Sequence, residues 1–73
     1  MKLLDVVALL EDIPQLNLYR AQVGTIVEVY EPGIFKVEFS DNNGRAYAIK
    51  TLKEKQLILL YHEPLADYQS VKT

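Results

Sequence analysis

The stretch Gln22-Val23-Gly24-Thr25-Ile26-Val27-Glu28-Val29-Tyr30-Glu31-Pro32-Gly33-Ile34-Phe35-Lys36-Val37-Glu38-Phe39 reads as a strand, a tight turn and a second strand. β-Branched and aromatic residues flank Glu31-Pro32-Gly33, and Pro and Gly are the residues a reversal of the chain demands. With those three residues as the turn, Tyr30 faces Ile34, Val29 faces Phe35, Glu28 faces Lys36 and Val27 faces Val37. One face is then Val27, Val29, Phe35 and Val37, a core. The other carries a Glu28–Lys36 pair, worth about 0.3 kcal/mol when exposed. A two-residue turn would set Lys36 against Val29, because one step of slip exchanges the faces. The three-residue register is the expected one.

Downstream, Asp41-Asn42-Asn43-Gly44 is a second reversal. A three-residue loop Asn42-Asn43-Gly44, with Gly44 left-handed in a bulge, pairs Asp41 with Arg45, Phe39 with Tyr47 and Val37 with Ile49. Ala46 and Ala48 then sit on the outer face beside Ile26, Tyr30 and Ile34. Apolar residues there are unusual for a soluble monomer. Thr51 to Lys55 reads as a single helical turn capped by Thr51, with Glu54 three residues on. Gln56 to Tyr61 (QLILLY) is expected to be a final strand buried on both sides. Residues 62–73 turn polar, contain Pro64 and lack periodicity, so the domain is expected to span 1–61, followed by a tail.

Upstream, Leu3 to Leu10 (LLDVVALL) is compatible with a strand or with a helix capped by Asp5. The adjacent Val6 and Val7 favour the strand. Glu11 to Arg20 is a loop, since Pro14 disfavours helix at Ile13 and cannot donate to a central ladder. It carries Ile13, Leu16, Leu18 and Tyr19, so it should fold back over one end of the core. The resulting fold class is all-β: a small five-stranded, partly open barrel with one short helical turn before the last strand.

Length and composition bound the function. Seventy-three residues, nearly half of them apolar, make one globular domain. A formal charge of −2 with scattered cations is not a nucleic-acid footprint. The chain has no cysteine, which removes disulfides, thiol nucleophiles and thiolate metal sites, and fits a reducing compartment. Met1-Lys2-Leu3-Leu4-Asp5 does not read as a signal peptide, and no apolar run reaches the roughly 20 residues of a membrane span. A cytoplasmic location is expected.

The residues also argue against catalysis. His62 is the only histidine and reads as a solvent-exposed tail residue. Glu11 and Asp12 are adjacent, so in extended chain they point apart and cannot act as an acid/base pair. Asp41-Asn42-Asn43-Gly44 resembles the start of a calcium loop, but Ile49 stands where the bidentate Glu is required. Gly24 is a lone glycine within a strand, the mark of a bulge or a close backbone approach. No enzyme activity, cofactor or metal is expected.

Gly24 followed by Thr-Ile-Val-Glu-Val resembles the glycine-centred strand of KOW-type modules. Residues 3–60 resemble a family of short bacterial proteins of unknown function, through Asp5-Val6-Val7-Ala8-Leu9, Leu18-Tyr19-Arg20, Gln22 to Glu28, and Asp41 through Ile49. The resemblance implies an SH3-like fold and, in some genomic settings, pairing with a toxin-like neighbour. Two binding classes follow. One is a protein-interaction module using Tyr19, Ile26, Tyr30, Ile34, Ala46 and Ala48, whose apolar face is covered by a partner, a second copy or the tail residues Leu65, Tyr68 and Val71. The other is a KOW-like nucleic-acid binder using Arg20, Arg45, Lys50, Lys53 and Lys55, with Tyr19 or Tyr47 stacking on bases. Against the second stand the net acidity and the interleaved Glu28, Glu31, Glu38 and Glu54.

Overall fold

In a computed structural model, which describes residues 1–41 and 43–62, the chain forms one antiparallel sheet. Its strands are β1 (Val6–Leu9), β2 (Val23–Glu31), β3 (Ile34–Ser40), β4 (Ala46–Lys53) and β5 (Leu57–Tyr61), in the spatial order β4-β3-β2-β1-β5. Among the described residues the sheet does not close, so β4 and β5 are both edges. The expected strand at Leu3 to Leu10 is present in its central part. No helix in the described residues is long and apolar enough to cross a membrane. The expected tail, with Leu65, Tyr68 and Val71, lies outside the described residues.

The first hairpin corrects the expected register in an instructive way. Glu31 pairs with Ile34, so the turn is the two residues Pro32-Gly33, with Gly33 left-handed at φ 82°. Tyr30 is then an extra, bulged residue. It restores Val29 opposite Phe35 and Glu28 opposite Lys36, the pairs expected from the longer turn. A second shift, at Val27, sets Ile26 rather than Val27 opposite Val37. Ile26 is therefore fully buried in the core and cannot serve on an outer face, while Val27 is half-buried.

The second hairpin also departs from its expected register. Asp41 N–H donates to Arg45 O (2.9 Å), and the Asp41 carboxylate accepts the N–H groups of Asn43 (2.8 Å) and Arg45 (3.0 Å). Gly44 is left-handed, as expected; Asn42 lies outside the described residues. Ser40 pairs with Ala46, and a bulge at Tyr47 then places Ala48 opposite Phe39 and Ile49 opposite Glu38. Ala48 consequently packs against the core instead of the outer face, and Ile49 is exposed instead of buried. A bulge adds local twist, which bends this single sheet around its core.

The core joins Val7, Leu9, Ile26, Phe35, Val37, Phe39, Leu52 and Leu57 from the strands to Ile13 and Leu18 of the first loop. That loop folds back as its apolar content requires. Pro14–Leu16 forms a 3₁₀ turn, Ile13 bridges Leu18, and Asn17 takes the left-handed conformation between them. Tyr19 remains exposed. Gly24 is a close-approach glycine: a Cβ there would meet Val37 Cγ1 at 2.7 Å, and Glu38 O and Phe39 Cδ1 at 2.9 Å.

The helical turn lies later than expected. β4 continues through Lys53, and the 3₁₀ turn is Glu54–Gln56, entered where Gln56 Oε1 accepts the Lys53 N–H (2.9 Å). Thr51 is within the strand and caps nothing. β5 also differs from its expected burial: Leu57 is buried, whereas Ile58, Leu59, Leu60 and Tyr61 are exposed. An apolar run that reads as doubly buried is an edge strand.

Candidate interaction surface

Directly paired residues share a face, so the register sorts the side chains. On the inner face Val7, Gly24, Phe39 and Ala48 form one row, and Ile26, Val37 and Lys50 another. The outer face divides in two. Over β2, β3 and β4 it carries Glu28, Lys36 and Thr51 in one row and Thr25, Glu38 and Ile49 in the next. Over β2, β1 and β5 it carries Val23, Ala8 and Ile58, then Thr25, Val6 and Tyr61.

This second half is almost entirely apolar. Val6 and Ala8 are buried yet stand outside the core cluster, flanked by their neighbours on the outer side. Val23, Ile58 and Tyr61 are exposed by 47, 48 and 56 %. No charged side chain falls in those rows. The polar half is different: Lys36 Nζ lies 3.2 Å from Glu28 Oε1 and 5.7 Å from the Tyr30 ring centroid. Interaction with Tyr30 and then with Glu28 pushes the Lys36 amine up.

The six residues expected to bind a partner are not brought together. Tyr30 is exposed in its bulge beside Lys36, and Ile34 is half-buried next to the first turn. Ala46 is exposed at the start of β4; Ala48 and Ile26 belong to the interior. Tyr19 lies at the turn before β2, where Gln22 Oε1 accepts its N–H while Gln22 Nε2 donates to the Tyr47 hydroxyl (3.1 Å). The basic residues are also dispersed. Lys50 shares the inner face with Val37, and Lys53 lies on the opposite face.

The pairing of Asp5 with His62 was not legible in the sequence. Asp5 has no exposed surface, although it lies shallowly beneath it. Its Oδ2 accepts the Lys2 N–H (2.8 Å) and its Oδ1 lies 2.7 Å from His62 Nδ1. Burial pushes the Asp5 carboxyl up, but hydrogen bonds from His62 and the Lys2 N–H outweigh it and hold the group below its ordinary 3.8. An ionised carboxylate only accepts, so Nδ1 carries the proton. The pair ties the end of β5 to the start of β1, across 57 residues of sequence. His62 is thus partly exposed but anchored. The described residues enclose no pocket, and among them no three His, Asp or Glu side chains gather as metal ligands.

The chain belongs to the family described as a domain of unknown function, DUF4926, whose model matches residues 3–59. No curated protein and no solved structure matches it.

Proposed function

We propose that the chain is a non-catalytic protein-interaction module, acting in the cytoplasm, whose binding surface is the apolar outer half formed by Val6, Ala8, Val23, Ile58 and Tyr61. The observation that carries this reading is the division of one outer face into a charged half and an uncharged half. Covering exposed apolar area contributes about 25 cal/mol per Å², and desolvating a face without charges costs little. A small partner of a neighbouring protein, antitoxin-like as the resemblance implies, fits that role. So does the SH3-like reading, in which the sheet serves as a platform and not as a catalytic scaffold.

The test is capture of tagged protein from native lysate, with and without nuclease, using wild type, Ile58→Lys and Glu38→Lys. A specific protein retained after nuclease and with Glu38→Lys, but released by Ile58→Lys, supports the reading. Material lost on nuclease treatment and at high salt would replace it with the nucleic-acid reading. Equal retention by all three proteins would remove the apolar half from the function.

A further inference from the structure

The turn between β3 and β4 holds a chemically reactive dipeptide that the proposed surface does not use. The chain has three asparagines, Asn17, Asn42 and Asn43, and of these Asn43 alone precedes a glycine. Asparagine is thermolabile because its side-chain amide carbon is open to attack by the next backbone nitrogen. Glycine is the most permissive residue to follow it, since no Cβ shields that nitrogen or restrains its backbone. Asn43 and Gly44 are both exposed, and a Cβ built on Gly44 would meet nothing within 4 Å. Solvent therefore reaches the dipeptide. Asn17 offers the contrast. It is exposed too, but the nitrogen after it belongs to Leu18, which is fully buried in the core and donates to Ile13 O (3.2 Å).

Asp41 restrains Asn43. The Gly44 N–H donates to Asp41 O (3.0 Å), so the nitrogen that would attack is engaged in closing the turn. Asp41 Oδ1 accepts the N–H groups of Asn43 (2.8 Å) and Arg45 (3.0 Å), and the Asp41 N–H donates to Arg45 O (2.9 Å). One residue thus fixes the backbone on both sides of the Asn43–Gly44 bond. Packing adds little to that hold, because Asp41, Asn43, Gly44 and Arg45 are all exposed and none belongs to the core cluster. A turn held by solvent-exposed hydrogen bonds opens locally while the sheet behind it stays folded.

We infer that Asn43–Gly44 is a site of spontaneous deamidation held in check by Asp41. The inference is independent of the interaction surface on β1 and β5. In the opened turn the Gly44 nitrogen, its proton taken by solvent base, bonds to Asn43 Cγ. The Cγ–Nδ2 bond breaks, and Nδ2 leaves as ammonia with a proton returned from solvent. Water then adds to one of the two carbonyls of the cyclic imide. Cleavage on the Cγ side gives an aspartate at position 43. Cleavage on the main-chain side gives an isoaspartyl linkage, with one extra carbon in the backbone. Both products add a negative charge to a chain of net charge −2, close to the Asp41 carboxylate that closes the turn. The isoaspartyl product also lengthens a turn whose spacing sets the register of β3 on β4.

The experiment incubates the full chain in mildly alkaline buffer, folded and in unfolding urea. Peptide mapping by mass spectrometry follows the amide-to-acid mass gain, and isoaspartyl methyltransferase with a labelled methyl donor counts the isoaspartyl product. Conversion is expected at Asn43 ahead of Asn17 and Asn42, and slower in the folded chain than in urea by on the order of tenfold, because the rate follows the population of the open turn. Asp41→Ala removes both bonds to the carboxylate and should speed the folded chain about tenfold. In urea it should match the wild type, which separates a restraint on the turn from a direct effect of the carboxylate on the reaction. Asp41→Ser, whose hydroxyl still accepts hydrogen bonds more weakly, should fall between the two and serves if Asp41→Ala does not fold by circular dichroism. Asn43→Gln should abolish the isoaspartyl product. Conversion first at Asn17 or Asn42 in the folded chain overturns the assignment of the site, as does its absence at Asn43 even in urea. Equal wild-type rates folded and in urea, or equal rates in folded wild type and both Asp41 variants, overturn the restraint by Asp41.

Discussion

The two halves of the outer face share a sheet, a pleat and even Thr25, yet they are built to opposite ends. Over β3 and β4, Lys36 bonds Glu28, Glu38 sits opposite Ile49 and Lys53 opposite Ile34, so the large apolar side chains there are accompanied by charge. Over β1 and β5, Val23, Ala8, Ile58, Val6 and Tyr61 have no charged neighbour in their rows. The first half presents its ion pair to water. The second leaves Val23, Ile58 and Tyr61 exposed, on and beside a strand at the sheet's edge among the described residues. Alternation along strands is thus a rule about a solvated face, and the β1–β5 half departs from it.

The largest perturbation should come where the halves join, at Gly24. Gly24→Ala forces a Cβ to within 3 Å of Val37, Glu38 and Phe39, two of them core side chains and one a backbone oxygen. We expect destabilisation of roughly 2–3 kcal/mol by urea unfolding, as for an overpacked core. A loss below about 0.5 kcal/mol would mean that the two halves separate more easily than their packing suggests.

Next in size is the clasp on the apolar half. Asp5→Asn keeps the shape but weakens two charge-assisted hydrogen bonds, and should cost about 1 kcal/mol at neutral pH. The sign with pH follows from the lowered carboxyl. Its contribution is fully present above the unfolded value near 3.8 and is lost as pH falls through the folded value. Wild type and Asp5→Asn should therefore converge in unfolding midpoint in acid below that window. Amide exchange should quicken in β5 and leave β3 unchanged; equal acceleration in both would deny that the clasp acts on one half.

A smaller effect, of opposite sign, is expected at Ala21, which adopts φ 75° in the turn leading into β2. Gln22 N–H closes this turn on Tyr19 O, and Ala21→Gly should stabilise the chain by about 0.5 kcal/mol in thermal unfolding. The smallest belongs to the charged half. Lys36→Ala removes a solvated ion pair and should leave the unfolding midpoint unchanged, at low salt as at high. Any clear loss would show that the charged half is held by more than its core.

Much of the fold could be read from residues 22–61. Pro32-Gly33 and Asp41 to Gly44 mark their reversals because φ requirements are local, and the alternation between them marks strands. The facing pairs Val29–Phe35 and Glu28–Lys36 were legible for the same reason. The surface was legible only in outline. An apolar outer patch was expected, but at Ile26, Tyr30, Ile34, Ala46 and Ala48; it lies at Val23, Ile58 and Tyr61. The cause is the extra residues at Val27, Tyr30 and Tyr47, each of which moves everything beyond it to the other face. Gln56 to Tyr61 departs from its expected burial for a related reason. An apolar run on an edge strand looks the same in sequence as one buried in a sheet's middle.

The sequence by itself determined that this is an all-β domain of short strands with glycine-marked turns and a first loop that closes over the core. Those properties follow from dihedral preferences and from apolar residues that must leave water. The tertiary structure alone decided where the bulges fall, that β5 is an edge, and that Asp5 holds His62. Each of these depends on how the curved sheet accommodates its own twist and on which distant segments meet as it does, and neither is written in any single window of the chain.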